Sequence, residues 1–340
     1  MYRYTARLLL VSVVITTCFL VSTTLHAEET VIKLRYSDYL PPTVYVSVLF
    51  DQWCKEVEKR TNGRVKITHF AGGTLSPIAQ TYDTLVKGGF ELGTSAFSYS
   101  TGRFPLSDVL DLPLAYTTGY QAVKLANEYY KKFKPKELDD VQVMYLYAHG
   151  PTYIHTKKPI SKLDEIKGLR IKSTGSSARI VTALGGTPVT IPLPETYDAL
   201  KRGLADGLIH QMGVLKTYRF GEILKYTLID NGMSNTTACF VVMNKQKWAS
   251  LPRDIQKVIE AINEEWIEKH ALGALEEDRE SEAFLIKSGG HILRVSKTER
   301  EKTAAKMKPV FDEYLQSTRA KGLPGDEALK FCLDYVKAHP

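Results

Sequence analysis

Apolar positions along this chain switch repeatedly between two periods. Val31 to Tyr36 alternates apolar and basic residues, the period of a half-buried strand, and Ser37-Asp38-Tyr39-Leu40-Pro41-Pro42 breaks it. From Thr43 to Arg60 the spacing becomes helical, with Val46, Leu49, Phe50, Trp53 and Val57 on one face and Asn62-Gly63 as the stop. Val65 to Phe70 reads as a second strand. Pro77 sits in the first turn of a helix that ends at Gly88-Gly89. Phe90 to Phe97 is a third strand, followed by the aromatic and hydroxyl-rich loop Ser98-Tyr99-Ser100-Thr101. Strand, helix, strand, helix, strand predicts a parallel sheet covered by helices. A helix over Thr118–Phe133 and the apolar strand Val141–Tyr147 complete this unit, and His149-Gly150-Pro151 marks its exit.

The same logic then repeats. Tyr153–Thr156 opens a second strand set. Leu169–Ser173 is a strand that runs into Gly175-Ser176-Ser177 and a helix ending at Gly185-Gly186. A strand over Val189–Ile191, a helix from Pro194-Glu195 to Gly203, and a strand over Leu208–Gln211 follow. Ala238–Asn244 is apolar throughout and is expected to return to the first lobe. One helical pattern runs from Pro252 to Lys287, with Gly273 as a candidate bend and Gly289-Gly290 as its stop. At about 1.5 Å per residue it would be roughly 50 Å long, more than a small lobe's diameter, so it is expected to cross both lobes. His291–Val295 reads as a strand and Lys297–Arg319 as a final amphipathic helix.

Length and composition fit this picture. A chain of 340 residues with 44% hydrophobic and 24% charged residues suits two α/β domains. Its first residues are read separately. Arg3 and Arg7 precede an apolar run from Leu8 to Val21, and small and polar residues end at Leu25-His26-Ala27, the layout of a secretory signal cleaved after Ala27. Without those two arginines the net charge falls from +7 to +5, with 43 basic against 38 acidic residues interspersed. Such a solvated basic surface gives no reason to expect a nucleic-acid partner. Cys54 and Cys239 sit among apolar residues and read as buried thiols. One disulfide among these two and Cys332 stays open in an oxidising compartment.

Catalytic and metal-binding patterns do not emerge. The chain has no G-x-S-x-G, no H-E-x-x-H, no P-loop and no cysteine metal spacing, so no cofactor or metal is expected and an enzyme is not. The sharpest local feature is Arg170-Ile171-Lys172 ahead of Ser173-Thr174-Gly175-Ser176. Two cations share a strand face and the chain then enters a helix N-terminus, a pattern suited to a carboxylate. From spacing alone, two solvated edge cations are the simpler reading. His210 follows a strand and is a candidate for the cleft. Tyr39, Phe97, Tyr99, Tyr153 and Leu193 are candidates for lining it.

Taken together, several short segments resemble a known family. They are Phe70-Ala71-Gly72-Gly73-Thr74-Leu75, Asp111-Leu112-Pro113, Asp164 to Lys172, Ala183-Leu184-Gly185-Gly186-Thr187-Pro188-Val189, Pro194-Glu195-Thr196-Tyr197-Asp198-Ala199-Leu200, Gly203 to Gly207 and Trp248 to Gln256. In order and spacing the chain resembles the periplasmic solute receptors of tripartite ATP-independent periplasmic (TRAP) transporters, of the DctP type. The resemblance implies an α/β, two-lobed periplasmic binding protein of type II-like architecture with a long helix spanning both lobes. It implies closure around a small organic acid and delivery to TRAP membrane permease subunits, driven by an ion gradient. A ligand-presenting sensor subunit of a signalling receptor on the same fold is the alternative.

The resemblance also assigns residues. The family's carboxylate-gripping arginine ends a G-L-K-I-R motif. Here that motif is Gly168-Leu169-Arg170-Ile171-Lys172, so Lys172 takes its place and Arg170 that of the usual lysine. His210 stands where the family commonly has an asparagine, and Tyr39, Phe97 and Tyr153 fall where members line the pocket. The aromatic content points to an aromatic or otherwise bulky monocarboxylate. The expected organisation is a signal peptide over 1–27, lobe I over 28–149 plus 236–275, and lobe II over 150–235 plus 276–340.

Overall fold

Two sheets divide the computed structural model, which describes residues 31–340 except Thr101 and Ser161. The expected signal segment, 1–27, lies outside the described residues. The first sheet uses β1 (Ile32–Ser37), β2 (Val65–Phe70), β3 (Leu92–Ala96) and β4 (Val141–Ala148), with helices α1 (Tyr45–Arg60), α2 (Thr81–Val86) and α3 (Gly119–Phe133) between them. The second sheet begins with β5 (Thr152–Thr156) and β6 (Arg170–Lys172). Helix α4 (Ser176–Ala183), β7 (Thr187–Val189), α5 (Thr196–Lys201), β8 (Gly207–Gln211), the single turn α6 (Val214–Thr217) and β9 (Tyr226–Ile229) follow. The chain then returns through β10 (Ala238–Asn244) and α7 (Lys245–Ser250). It crosses again along α8 (Arg253–Lys287) to β11 (His291–Arg294) and ends in α9 (Lys297–Lys306), α10 (Lys308–Ala320) and α11 (Gly325–Ala338).

Strand order is β2-β1-β3-β10-β4 in lobe I and β11-β9-β5-β8-β6-β7 in lobe II. The parallel βαβ units are the expected ones. Each sheet also takes antiparallel neighbours at a passage between lobes: β10 pairs antiparallel with β3 and β4, and β5 with β8 and β9. The returning strand β10 therefore does fall in the first lobe, buried along its whole length.

The long helix is continuous over 35 residues, about 52 Å at 1.5 Å per residue. Its first half is pinned to α1 by two indoles. Trp53 Nε1 donates to Asn263 Oδ1 at 3.0 Å, and Trp266 Nε1 donates to the Leu49 carbonyl at 2.8 Å. Its last turns reach lobe II, where Leu285 packs with Leu215 and Phe220. Gly273 does not interrupt it. The Tyr45 ring passes so close that a Cβ there would lie 3.0 Å from Cε2, so the glycine serves a close approach of α1.

Two expectations for the C-terminal part need correction. The pattern Lys297–Arg319 is two helices, because Pro309 in the first turn of α10 has no N–H to give and would crowd the preceding turn. The segment 276–340 does not belong wholly to lobe II. Val310 and Tyr314 of α10, and Ala328, Leu329, Cys332 and Val336 of α11, join the core of lobe I. Helix α11 packs on α3, where Gln121 Nε2 donates to the Val336 carbonyl at 3.0 Å. Cys54, Cys239 and Cys332 are buried free thiols.

Candidate functional site

The cleft between the lobes encloses a cavity of about 340 Å³, at the small end of the range for small-molecule sites. Lobe I supplies its aromatic wall. The chain leaves β1 at Asp38, whose Oδ1 accepts from the Leu40 amide at 2.9 Å while Oδ2 accepts from Ser47 Oγ at 2.6 Å and lies 3.1 Å from His69 Nε2. This buried carboxyl fixes the turn that carries Tyr39. Gly72 and Gly73, at φ of 74° and 70°, then dock the loop after β2 onto it through amides donating to the Leu40 and Asp38 carbonyls. A side chain would strain both positions. The Tyr39 ring faces Tyr99, with centroids 6.4 Å apart.

Lobe II supplies the polar wall. His155, buried on β5, brings Nε2 to 3.0 Å from the His210 carbonyl, so Nε2 carries the proton and Nδ1 accepts from the Thr227 hydroxyl at 2.9 Å. That bond anchors β8 at the residue that faces the cavity. His210 itself accepts the Gln211 amide at Nδ1, 3.1 Å, which leaves its Nε2–H free to donate. Burial, with the nearby Lys172 charge, keeps the His210 imidazole neutral.

Lys172 ends β6 and is 3% exposed. Among the described residues no group accepts a hydrogen bond from its ammonium and no carboxylate pairs with it. Burial lowers its pKa to about 8. It does not form part of the cavity wall but lies behind it, close enough for its charge to act on His210.

The floor comes from the passages between lobes. His149 follows β4; it is 7% exposed, and burial depresses its imidazole to about 4. Asn235, Thr236 and Thr237 precede β10. Glu277 projects from α8 against Gly213, where a Cβ would lie 2.8 Å from its carboxyl carbon. Asp111, in the buried turn before α3, accepts the Ala238 amide at Oδ1, 2.7 Å. Burial raises Asp111 to about 8, and burial together with Asp278 raises Glu277 to about 8. Near neutral pH the two acids and the imidazoles are thus largely uncharged. Among the described residues at the cavity, the Lys172 ammonium sets the sign of the potential, which favours an anion.

Of the residues singled out from sequence, Tyr39, Tyr99, Leu193 and His210 line the cavity. Three do not. Phe97 is 1% exposed and packs its ring 5.2 Å from those of Phe104 and Phe240, so it is core. Tyr153 packs into the cluster with Leu215, Phe220 and Leu285. Arg170 shares a strand with Lys172 but stands at the open end of β6, where its guanidinium pairs with Asp206 at 3.0 Å. Sequence reasoning missed His149, Asp111, Asn235 and Glu277. For His149, Asn235 and Glu277 the available signal was position, since each flanks or crosses a passage between lobes; Asp111 lies in a turn within lobe I.

The family model of the bacterial extracellular solute-binding proteins, family 7 (DctP), matches residues 37–318. A TRAP periplasmic solute binding protein from Desulfovibrio salexigens, crystallised as an open complex, is 30% identical with a TM-score of 0.85, over 91% of this chain and 96% of its own. The C4-dicarboxylate-binding periplasmic protein DctP of Rhodobacter capsulatus is 25% identical over 283 residues, 80% of this chain and 83% of its own. A TRAP solute binding protein from Rhodoferax ferrireducens, crystallised with copurified benzoate, is 23% identical with a TM-score of 0.82, over 91% and 98% of the two chains.

Proposed function

We infer, from the premise that this chain belongs to the DctP family of bacterial extracellular solute-binding proteins, that its inter-lobe cavity holds an aromatic or similarly bulky monocarboxylate. The chain is a periplasmic solute-binding protein of the TRAP type, a family that takes small organic acids. That membership favours transport over a sensor subunit.

The observation that carries the carboxylate reading is Lys172. A buried ammonium with no partner among the described residues is costly. A bound carboxylate relieves that cost, drawn by the charge behind the wall and met at the surface by the free N–H of His210. Tyr39 and Tyr99 offer ring faces to the rest of the ligand, and the neighbour with copurified benzoate fits a ligand of this size. The cavity binds and does not transform. The lobes close over the acid by a hinge motion, and the closed receptor docks on the membrane permease subunits. Export to the periplasm rests on the signal read at residues 1–27.

A thermal-shift screen of the purified protein tests this. Benzoate, phenylacetate and mandelate are expected to raise Tm more than succinate or malate. Stabilisation by dicarboxylates alone, or by neutral alcohols as strongly as by acids, would overturn it.

A further inference from the structure

We propose that Glu277 reads a hydroxyl group on the ligand, at the end remote from its carboxylate, so that the receptor prefers hydroxy acids to their unsubstituted parents. The proposal rests on the carboxylate reading above and deepens it.

Lys172, behind the polar wall, and Glu277, on the floor, lie near different parts of the cavity. The Lys172 charge acts on His210, within β8. Glu277 packs against Gly213, after β8 has ended, and the charges acting on it are Asp278, Lys216 and Glu280. A carboxylate drawn toward Lys172 therefore leaves its far end facing the α8 side of the cavity.

One acid on that side has no partner: among the described residues, Glu277 makes no hydrogen bond or ion pair. Glu277 is half-buried and lines the cavity, so a ligand group there can satisfy a carboxyl that the protein does not.

Chemistry narrows the choice. Glu277 is largely protonated near neutral pH, so its carboxyl both donates and accepts without repelling an acid. A hydroxyl is its match, since it too donates one bond and accepts others. A second carboxylate would need a cation there. Lys216, the basic residue acting on Glu277, is already paired with Glu280 at 2.9 Å.

The test compares matched pairs by calorimetry: benzoate with 3- and 4-hydroxybenzoate, phenylacetate with its ring-hydroxylated forms, and butyrate with 4-hydroxybutyrate. In at least one series the hydroxylated acid is expected to bind roughly tenfold or more tightly, the scale of one hydrogen bond in a desolvated site. Glu277→Met should erase that preference, so that each parent acid and its hydroxylated form bind alike. Glu277→Gln, whose amide also donates and accepts, should keep most of it. Equal binding of parent and hydroxylated acids in every series overturns the proposal, as does a preference that survives Glu277→Met or is lost equally in Glu277→Gln. Failure of every acid to bind would overturn the carboxylate reading itself, a distinct result.

Discussion

Ser176 Oγ donates to the backbone carbonyl of Asp111 across 2.8 Å, and the bond joins the first residue of α4 in lobe II to a buried turn of lobe I. Asn235 Nδ2, on a passage between the lobes, adds contacts of 3.2 Å to the same carbonyl and to the serine hydroxyl. This three-way contact exists only while the lobes are together. Replacing Ser176 with Ala removes one such bond, worth about 1 kcal/mol net. Ligand affinity should fall several-fold, mainly through faster release, and X-ray scattering should show a more open unliganded protein. An unchanged release rate would detach this bond from closure.

Lys172→Met should remove most acid-induced stabilisation and weaken binding by about two orders of magnitude, since a charge-assisted interaction in a dry site is lost. Stabilisation equal to wild type would show that the ammonium plays no part in holding the acid.

The same residue sets a pH dependence. A bound carboxylate favours charged Lys172, so the complex holds that proton more tightly than the free receptor, where its pKa is about 8. Binding then takes up a proton above that value. Asp111 and Glu277, each raised to about 8, ionise over the same range and repel an anion. All three act in one direction. Affinity should be level between pH 6 and 7.5 and fall above 8, and titration calorimetry should record proton uptake there.

Asp111 also leaves a signature on the unliganded protein. Its folded pKa is raised from the usual value near 4 to about 8. Its contribution is therefore fully present below pH 4 and is lost as pH rises toward 8, by at most about 1.4 kcal/mol per unit. Asn in its place keeps an acceptor for the Ala238 amide but cannot ionise. Asp111→Asn should flatten the decline of Tm between pH 6 and 8.5; an identical slope would assign the decline to other groups.

Gly119 tests the packing of α8 against the hinge. A Cβ there would lie 2.6 Å from the Ala274 Cβ and 3.2 Å from the Gly150 Cα. Gly119→Ala should lower stability by about 1–3 kcal/mol in denaturant titrations, as overpacking does.

Much of this architecture was legible in the periodicity. Strong, long patterns such as Tyr45–Arg60, Gly119–Phe133 and Arg253–Lys287 fold almost as the spacing predicts, because each has one apolar face and clear stops. The antiparallel entry of β10 was not legible, since a strand buried on both faces carries no record of its direction. The break at Met307 was legible in Pro309 and overlooked. At the site, sequence could name Lys172 and His210 but not their different depths. Phe97 and Tyr99 are two residues apart, yet one enters the core and the other the cavity, a choice made by Phe104 from the following loop and Phe240 from a distant strand. Glu277 looked like one acid among many on a charged helix face, and only the close approach of Gly213 singles it out.

The return of α11 to lobe I gives the chain an unequal mechanics. Ile32 and Ala338 both lie in that lobe, so the second lobe is a loop of polypeptide held at every entrance and exit by its neighbour. Fluorophores attached near the two ends would report nothing of the hinge. A pair at Leu333 and Leu204, exposed on opposite lobes, would change distance with each cycle of capture and release.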